Sequence, residues 1–438
     1  MAQSPTPDDP GGGRDDEGRP HHTALVLAGG AARGAYEVGV VRHVVEDVAR
    51  SLGRDVPLDL LCGTSVGAIN VCALAAWADE PRARAARLEN HWGSLTVPDV
   101  VRFDGHEMFE MVRALVGRGK PPGPGETRRG GMFDPRGLEA VIGRAIPFER
   151  IQEHLRAGRL TAVSVSATHV ATGRTMVFLQ RALPGLPHWG SDPTTSARAV
   201  TLRAEHALAS AAIPLLFPAV RIDGHFYSDG GLRQNVPLSP ARRLGADALV
   251  VVNPRHIAPP GIIDAESAQA ASDNEAAFPG PLFLLGKTLN ALLLDRIDSD
   301  IDRLERINKL LDAGTSRYGD GFVDELNDEL GNPRDRQVRP MRAVLVRASQ
   351  DIGRLAAEFV RSPAFARRTK GVLARMMRRL AEGEARNQAD FLSYLLFDGE
   401  FARQLVELGR ADAALHHEQL CALFERAVRR RDLRAVAT

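Results

Sequence analysis

At 438 residues, with 44% hydrophobic and 25% charged side chains, the chain is long enough for a large globular core, and its composition is neither fibrous nor wholly disordered. Its 56 Lys and Arg against 55 Asp and Glu leave a formal charge of +1, which excludes recruitment of nucleic acid by a global field. Three cysteines, Cys62, Cys72 and Cys421, lack CxxC spacing, so a disulfide framework is not expected and a reducing, cytoplasmic setting is.

Residues 1–22 read as a flexible tail, because they offer Pro, Gly and Asp where a signal peptide needs a basic start and an apolar run. No apolar stretch reaches the ~18 residues of a spanning helix, so the chain is expected to be soluble or bound peripherally to a membrane surface. The apolar run 24–28, stopped by Gly29-Gly30, predicts a buried strand. From Tyr36 onward, Val40, Val41, Val44, Val45 and Val48 form one helical stripe. The pattern repeats with a strand at 58–62 and a helix at 68–78 in which Asn70 is the polar exception. Further strands are expected at 160–166, 176–179 and 248–252, interleaved with helices. The fold class is therefore α/β, a three-layer α/β/α sandwich. Loops at 117–131, 183–196 and 258–280 are dense in Gly, Pro and small polar residues and are expected to be mobile. Beyond Pro281, Ile297, Ile301, Leu304 and Leu311 recur at helical spacing, so a helical C-terminal region is expected.

Three motifs carry chemistry. Gly63-Thr64-Ser65-Val66-Gly67 lies between a predicted strand and a predicted helix, where a sharp turn projects a serine hydroxyl outward. The competing reading is a tight turn whose serine caps the helix. Gly29-Gly30-Ala31-Ala32-Arg33-Gly34 also follows a strand and opens a helix, and its small residues can expose backbone amides to an oxyanion. A phosphate cradle is the rival. It weakens because the dinucleotide pattern needs glycine at position 31 and the P-loop pattern needs a Lys-Ser or Lys-Thr pair. Ser228-Asp229-Gly230-Gly231 follows an apparent hairpin or turn at 222–227, and on its own an Asp-Gly pair is an ordinary turn.

In this order the three motifs resemble the patatin-like phospholipase family, and Ala209-Ser210-Ala211-Ala212-Ile213-Pro214 with Phe217-Pro218 resembles the segment leading into its aspartate. The resemblance covers about 23–253. It implies a patatin-type sandwich and a Ser65–Asp229 dyad. The oxyanion hole would come from the Gly29 to Gly34 loop, the nucleophile elbow from Gly63, Thr64, Val66 and Gly67, and the acid motif from Gly230 and Gly231. It implies no cofactor and no metal, and a lipid or phospholipid acyl ester as substrate. Ala31 departs from the family's third glycine; it keeps its amide, but a left-handed backbone there would cost about 1–2 kcal/mol. Arg33 is expected to organise the loop, to meet an anionic head group, or to be a plain surface charge. An aspartate of ordinary pKa, about 3.9, is a poor base at neutral pH, so an apolar wall is expected around Asp229, with 213–217 as its source.

The implied organisation is a tail at 1–22, a catalytic domain at 23–255, a linker at 256–280 and a helical region at 281–438 that covers the core or mediates self-association, apart from the chemistry. Two alternatives remain at this point. One is a Ser-His-Asp esterase using His206, His225 or His256; the other is a lipid-binding or scaffold protein with a weak site. The segment 367–380 carries an apolar stripe beside several arginines, suited to anionic lipid or, more plainly, to a core-packed helix with a solvated basic face.

Overall fold

The computed structural model describes residues 22–102, 128–129, 131–182, 185–186, 189, 192–257, 297–331, 337–382 and 386–437. All of the expected tail but His22, most of the loop at 117–131, nearly all of the linker at 256–280 and the boundary at 280/281 lie outside the described residues.

Among the described residues ten strands form one sheet: β1 (His22–Leu27), β2 (Leu60–Thr64), β3 (Arg128–Arg129), β4 (Ala162–His169), β5 (Thr175–Arg181), β6 (Thr195–Ala199), β7 (Ala219–Ile222), β8 (His225–Asp229), β9 (Ala246–Asn253) and β10 (Arg342–Arg347). Their order is β10-β9-β1-β2-β4-β8-β7-β3, with β5 on β4 and β6 on β5. The run from β10 to β4 is parallel, and β8 joins β4 antiparallel. Each strand expected from the sequence is present within a few residues, while β6 begins inside the expected loop at 183–196.

Both faces of the sheet are covered. Along β1, Leu25 and Leu27 point into one apolar core while Ala24 and Val26 point into another. Successive strand residues face opposite sides, so an unbroken apolar run requires helices on both. The first face receives α1 (Gly34–Arg42), which runs on through a π-helical stretch at His43–Val48, together with α2 (Val66–Ala76) and α3 (Arg84–Gly93). The short α4 (Ala204–Ser210) joins that core too. On the second face α5 (Ile297–Tyr318) packs Ile297, Ile301 and Leu304. These are the three layers of an α/β/α sandwich.

The C-terminal region differs from the purely helical expectation, because β10 extends the sheet by pairing along β9 from Arg342↔Ala248 to Arg347↔Asn253. Its short apolar core, Ala343-Val344-Leu345-Val346, has no helical period and needs only an unpaired strand edge to be ordered. The helices that follow are α6 (Ile352–Arg361), α7 (Gly371–Glu382), α8 (Arg386–Leu395), α9 (Gly399–Leu415) and α10 (His417–Ala437). In α7, Ala374, Met377 and Leu380 are buried while Arg375, Arg378 and Arg379 are exposed, so this apolar stripe belongs to the core and the basic face is left to solvent. α9 lies directly on α1. A Cβ on Gly39 would overlap the Val406 carbonyl, and one on Gly409 would overlap the Tyr36 carbonyl, so each helix brings its glycine against the backbone of the other. The Tyr36 hydroxyl donates to Asp412 at 2.9 Å across the same contact.

Candidate active site

Ser65 stands between β2 and α2 with φ 55° and ψ −126°, a conformation that L-residues disfavour and that persists only where the surroundings impose it. Gly63 and Gly67 impose it by close approach: a Cβ on Gly63 would overlap the Gly67 carbonyl, and one on Gly67 the Leu27 carbonyl. Thr64 donates to the Gln234 carbonyl at 3.1 Å, and Val66 fills the space a side chain on Gly34 would need. The Ser65 amide donates to Ser210 Oγ at 2.8 Å, whose own hydroxyl donates to the Ser166 carbonyl at 2.6 Å. The sequence marks Ser210 only as part of the 209–214 segment that resembles the one leading into the family's aspartate, with no sign of this backbone contact.

Asp229 ends β8 and is completely buried. Its Oδ2 accepts the Ser65 hydroxyl at 2.6 Å. Its Oδ1 accepts the Gly231 amide at 2.7 Å, which leaves Oδ2 to the serine alone. Gly230 is required because a Cβ there would overlap the Ser166 carbonyl. Burial raises the Asp229 pKa to about 6, against the opposing pull of the Ser65 hydroxyl and the Gly231 amide. Of the expected apolar wall, Ile213, Leu216 and Phe217 are buried, whereas Leu215 is exposed with φ 68°.

The glycine loop enters on β1 and turns through one 3-10 turn, Ala31–Arg33, into α1. A Cβ on Gly29 would lie 3.1 Å from Ser65 Cβ, so the loop runs against Ser65. Asn235 holds its entrance: the Gly29 amide donates to the Asn235 carbonyl at 3.1 Å, and Asn235 Nδ2 donates back to the Gly29 carbonyl at 3.3 Å. Ala31 has φ 48°, so the position where the sequence departs from glycine is the one that takes the left-handed backbone. The Arg33 amide closes the turn on the Gly30 carbonyl at 3.0 Å, and no acceptor among the described residues takes the Gly30 or Ala31 amide. Ala32 is buried beneath them.

Arg33 is not a surface charge. Its guanidinium is buried beneath α8, where Nε donates to Ser393 Oγ at 2.8 Å and Nη2 to Asp390 Oδ1 at 2.7 Å, with its Cζ 4.1 Å over the Tyr394 ring. The C-terminal region, expected to stand apart from the chemistry, thus reaches Arg33 within the glycine loop. A second buried link joins the two helices that start at the site. Asn70 Nδ2 on α2 donates to Glu37 Oε2 at 2.8 Å and to the Gly34 carbonyl at 3.0 Å, and Trp92 donates to Asn70 Oδ1 at 3.1 Å. Burial holds the Glu37 carboxyl well above its usual pKa, with Asn70 and the Ala28 amide opposing.

The three histidines lie elsewhere. His206 takes the Arg203 amide on Nδ1 at 3.0 Å and burial lowers its pKa to about 4. His225 is exposed beside His169, and His256 Nδ1 meets the Ala348 carbonyl at 3.1 Å. Among the described residues, no histidine hydrogen-bonds Ser65 or Asp229, no group of three or more His, Cys, Asp or Glu is placed to hold a metal ion, and no helix is long and apolar enough to cross a membrane.

Residues 25–242 match the family model described as patatin-like phospholipase. Among curated proteins, the chain is 29% identical over 220 residues to a cGAMP-activated phospholipase of Pseudomonas aeruginosa (strain BWHPSA011 / Pa011). That match takes in 50% of this chain and 55% of the relative, so the chain spans about half of the relative's length. Among solved structures, VipD from Legionella pneumophila is matched at 13% identity with a TM-score of 0.29, over 89% of this chain and 67% of that one. At that score the likeness carries no argument.

Proposed function

Because residues 25–242 belong to the patatin-like phospholipase family, we propose that this chain is a lipid acyl hydrolase in which Ser65 is the nucleophile and Asp229 the base. The observation that carries the reading is the 2.6 Å hydrogen bond from Ser65 Oγ to Asp229 Oδ2 at a strained strand-to-helix turn. Ser65 Oγ attacks the ester carbonyl carbon as its proton passes to Asp229 Oδ2. The carbonyl oxygen becomes an oxyanion, for which the Gly30 and Ala31 amides, which have no acceptor among the described residues, are the preorganised donors. Collapse expels the alcohol, which takes the proton from Asp229, and leaves an acyl ester on Ser65. Water then attacks that ester, Asp229 again accepts the proton, and the fatty acid leaves as Ser65 regains its hydrogen. A pKa near 6 suits Asp229 to this work better than an ordinary aspartate, since it is ionised at neutral pH yet holds a proton more strongly.

Phospholipid, lysophospholipid and acylglycerol esters all present the carbonyl this site needs. The test is incubation of the protein with a panel of these lipids and short nitrophenyl esters, with identification of the released acids and alcohols. Release of fatty acid by the wild type and not by Ser65→Ala is expected; equal turnover by both would rule the dyad out.

A further inference from the structure

The left-handed Ala31 needs an explanation, because an L-residue there persists only when its neighbours on both sides fix the backbone. One side is fixed by Asn235 on Gly29. The other is fixed by Arg33, whose partners are Asp390, Ser393 and Tyr394, some 360 residues along the chain. Gly30 and Ala31, whose amides have no acceptor among the described residues, lie between these two anchors.

We infer that Asp390 and Ser393 on α8 are positioning residues for the oxyanion hole, acting through Arg33 to hold the Gly30 and Ala31 amides in place. The inference rests on the dyad reading above. The contact is built for geometry: the guanidinium is gripped on Nε and Nη2 by two different side chains, and its flat face rests on Tyr394, so rotation in any direction breaks a contact. The grip is itself braced, because Ser393 Oγ donates to the Asp390 carbonyl at 2.6 Å and Arg33 Nη2 also reaches that carbonyl at 3.3 Å. Burial would lower the Arg33 pKa, but Tyr394, Asp390 and Asp351 together raise it, so the side chain stays charged in place. Helix α8 packs against α6, which makes the loop geometry dependent on how the C-terminal region is seated.

The two anchors have different consequences from ordinary packing. An oxyanion donor acts on the transition state, so a displaced donor lowers kcat and leaves KM nearly unchanged. Asp390→Ala, Asp390→Asn and Ser393→Ala are compared in the full chain for kcat, KM, rate of serine labelling by a fluorophosphonate, melting temperature and amide exchange in peptides spanning 29–34. Asp390→Ala and Ser393→Ala are expected to lower kcat and labelling rate about tenfold or more, with KM within about threefold and faster exchange at 29–34. Asp390→Asn, which keeps an acceptor, should lie between Asp390→Ala and wild type. If Asp390→Ala does not fold, Ser393→Ala and Asp390→Asn decide. Folded variants whose kcat and labelling rate stay within about twofold of wild type overturn the inference alone, as does a rise in KM with kcat intact. A wild-type protein that the probe does not label overturns the inference together with the dyad reading.

Discussion

Ser65 and Asp229 meet because consecutive residues of β4 pair with the strands that carry them: Ser166 stands opposite Thr64 and Ala167 opposite Asp229. The strand that separates β2 from β8 is therefore the ruler for the dyad. A slip of one residue on either side moves a partner by about 3.3 Å and turns its side chain to the other face, which leaves no contact.

Ser65→Ala removes the nucleophile but keeps the strained φ of 55°, whereas Ser65→Gly removes both. Both variants should lose ester hydrolysis. Ser65→Gly should be the more stable of the two by about 1 kcal/mol in denaturant unfolding, because glycine adopts this backbone freely.

Asp229→Asn keeps the size of the side chain but loses its proton affinity, so kcat should fall by about 10²–10⁴-fold while His256→Ala changes little. Only ionised Asp229 can accept the serine proton. The acid limb of kcat/KM should therefore bend near pH 6, where burial has placed the Asp229 pKa. Loss of activity in His256→Ala equal to that in Ser65→Ala would favour a triad instead.

The same burial has a cost in stability. The Asp229 pKa rises on folding from 3.8 to about 6, so its favourable contribution is full below the lower value and is lost as pH rises through the higher one. Above pH 6 the buried carboxylate costs on the order of 3 kcal/mol relative to its protonated form. Asp229→Asn should thus raise the urea midpoint relative to wild type more at pH 8 than at pH 5. An equal difference at both values would show that burial is not the cause.

Ala31→Gly should retain full hydrolysis and gain up to about 1 kcal/mol, since φ of 48° is unfavourable for alanine and open to glycine. Ala31→Val should lose activity, because branching at Cβ makes that backbone still less accessible. Turnover rates and unfolding midpoints of the pair check this directly.

At the α1–α9 contact, Gly39→Ala and Gly409→Ala each force a methyl into a facing carbonyl. Losses of about 1–3 kcal/mol are expected from overpacking, read as a lower unfolding midpoint. Because α1 begins at the glycine loop, hydrolysis should decline along with stability.

The candidate centre is legible in the sequence because each of its motifs is local. Gly63 to Gly67 sits at a strand end, and Asp229-Gly230-Gly231 follows a hairpin, so the turn chemistry of each is written within a few residues. The parts that hold the centre are not. Ser210 acts through one hydrogen bond to the Ser65 backbone and Asn235 through two to the Gly29 backbone, and such contacts leave no periodicity to read. Arg33 has three possible roles in sequence, and only its distance from Asp390 and Ser393 in space selects among them. β10 was missed because a short apolar run among long helices has no pattern of its own until an open strand edge is set beside it.

That late strand also bears on how the protein is made. β9 pairs on one side with β1, which precedes it, and on the other with β10, which leaves the ribosome roughly ninety residues later. At about 5–20 residues per second, the nascent chain carries an apolar parallel edge, Leu249 to Val252, unsatisfied for about 5–20 s. An open edge of this kind recruits other strands. Ribosomes stalled between the two strands should therefore hold chains that bind chaperones and aggregate on release, while full-length chains should not.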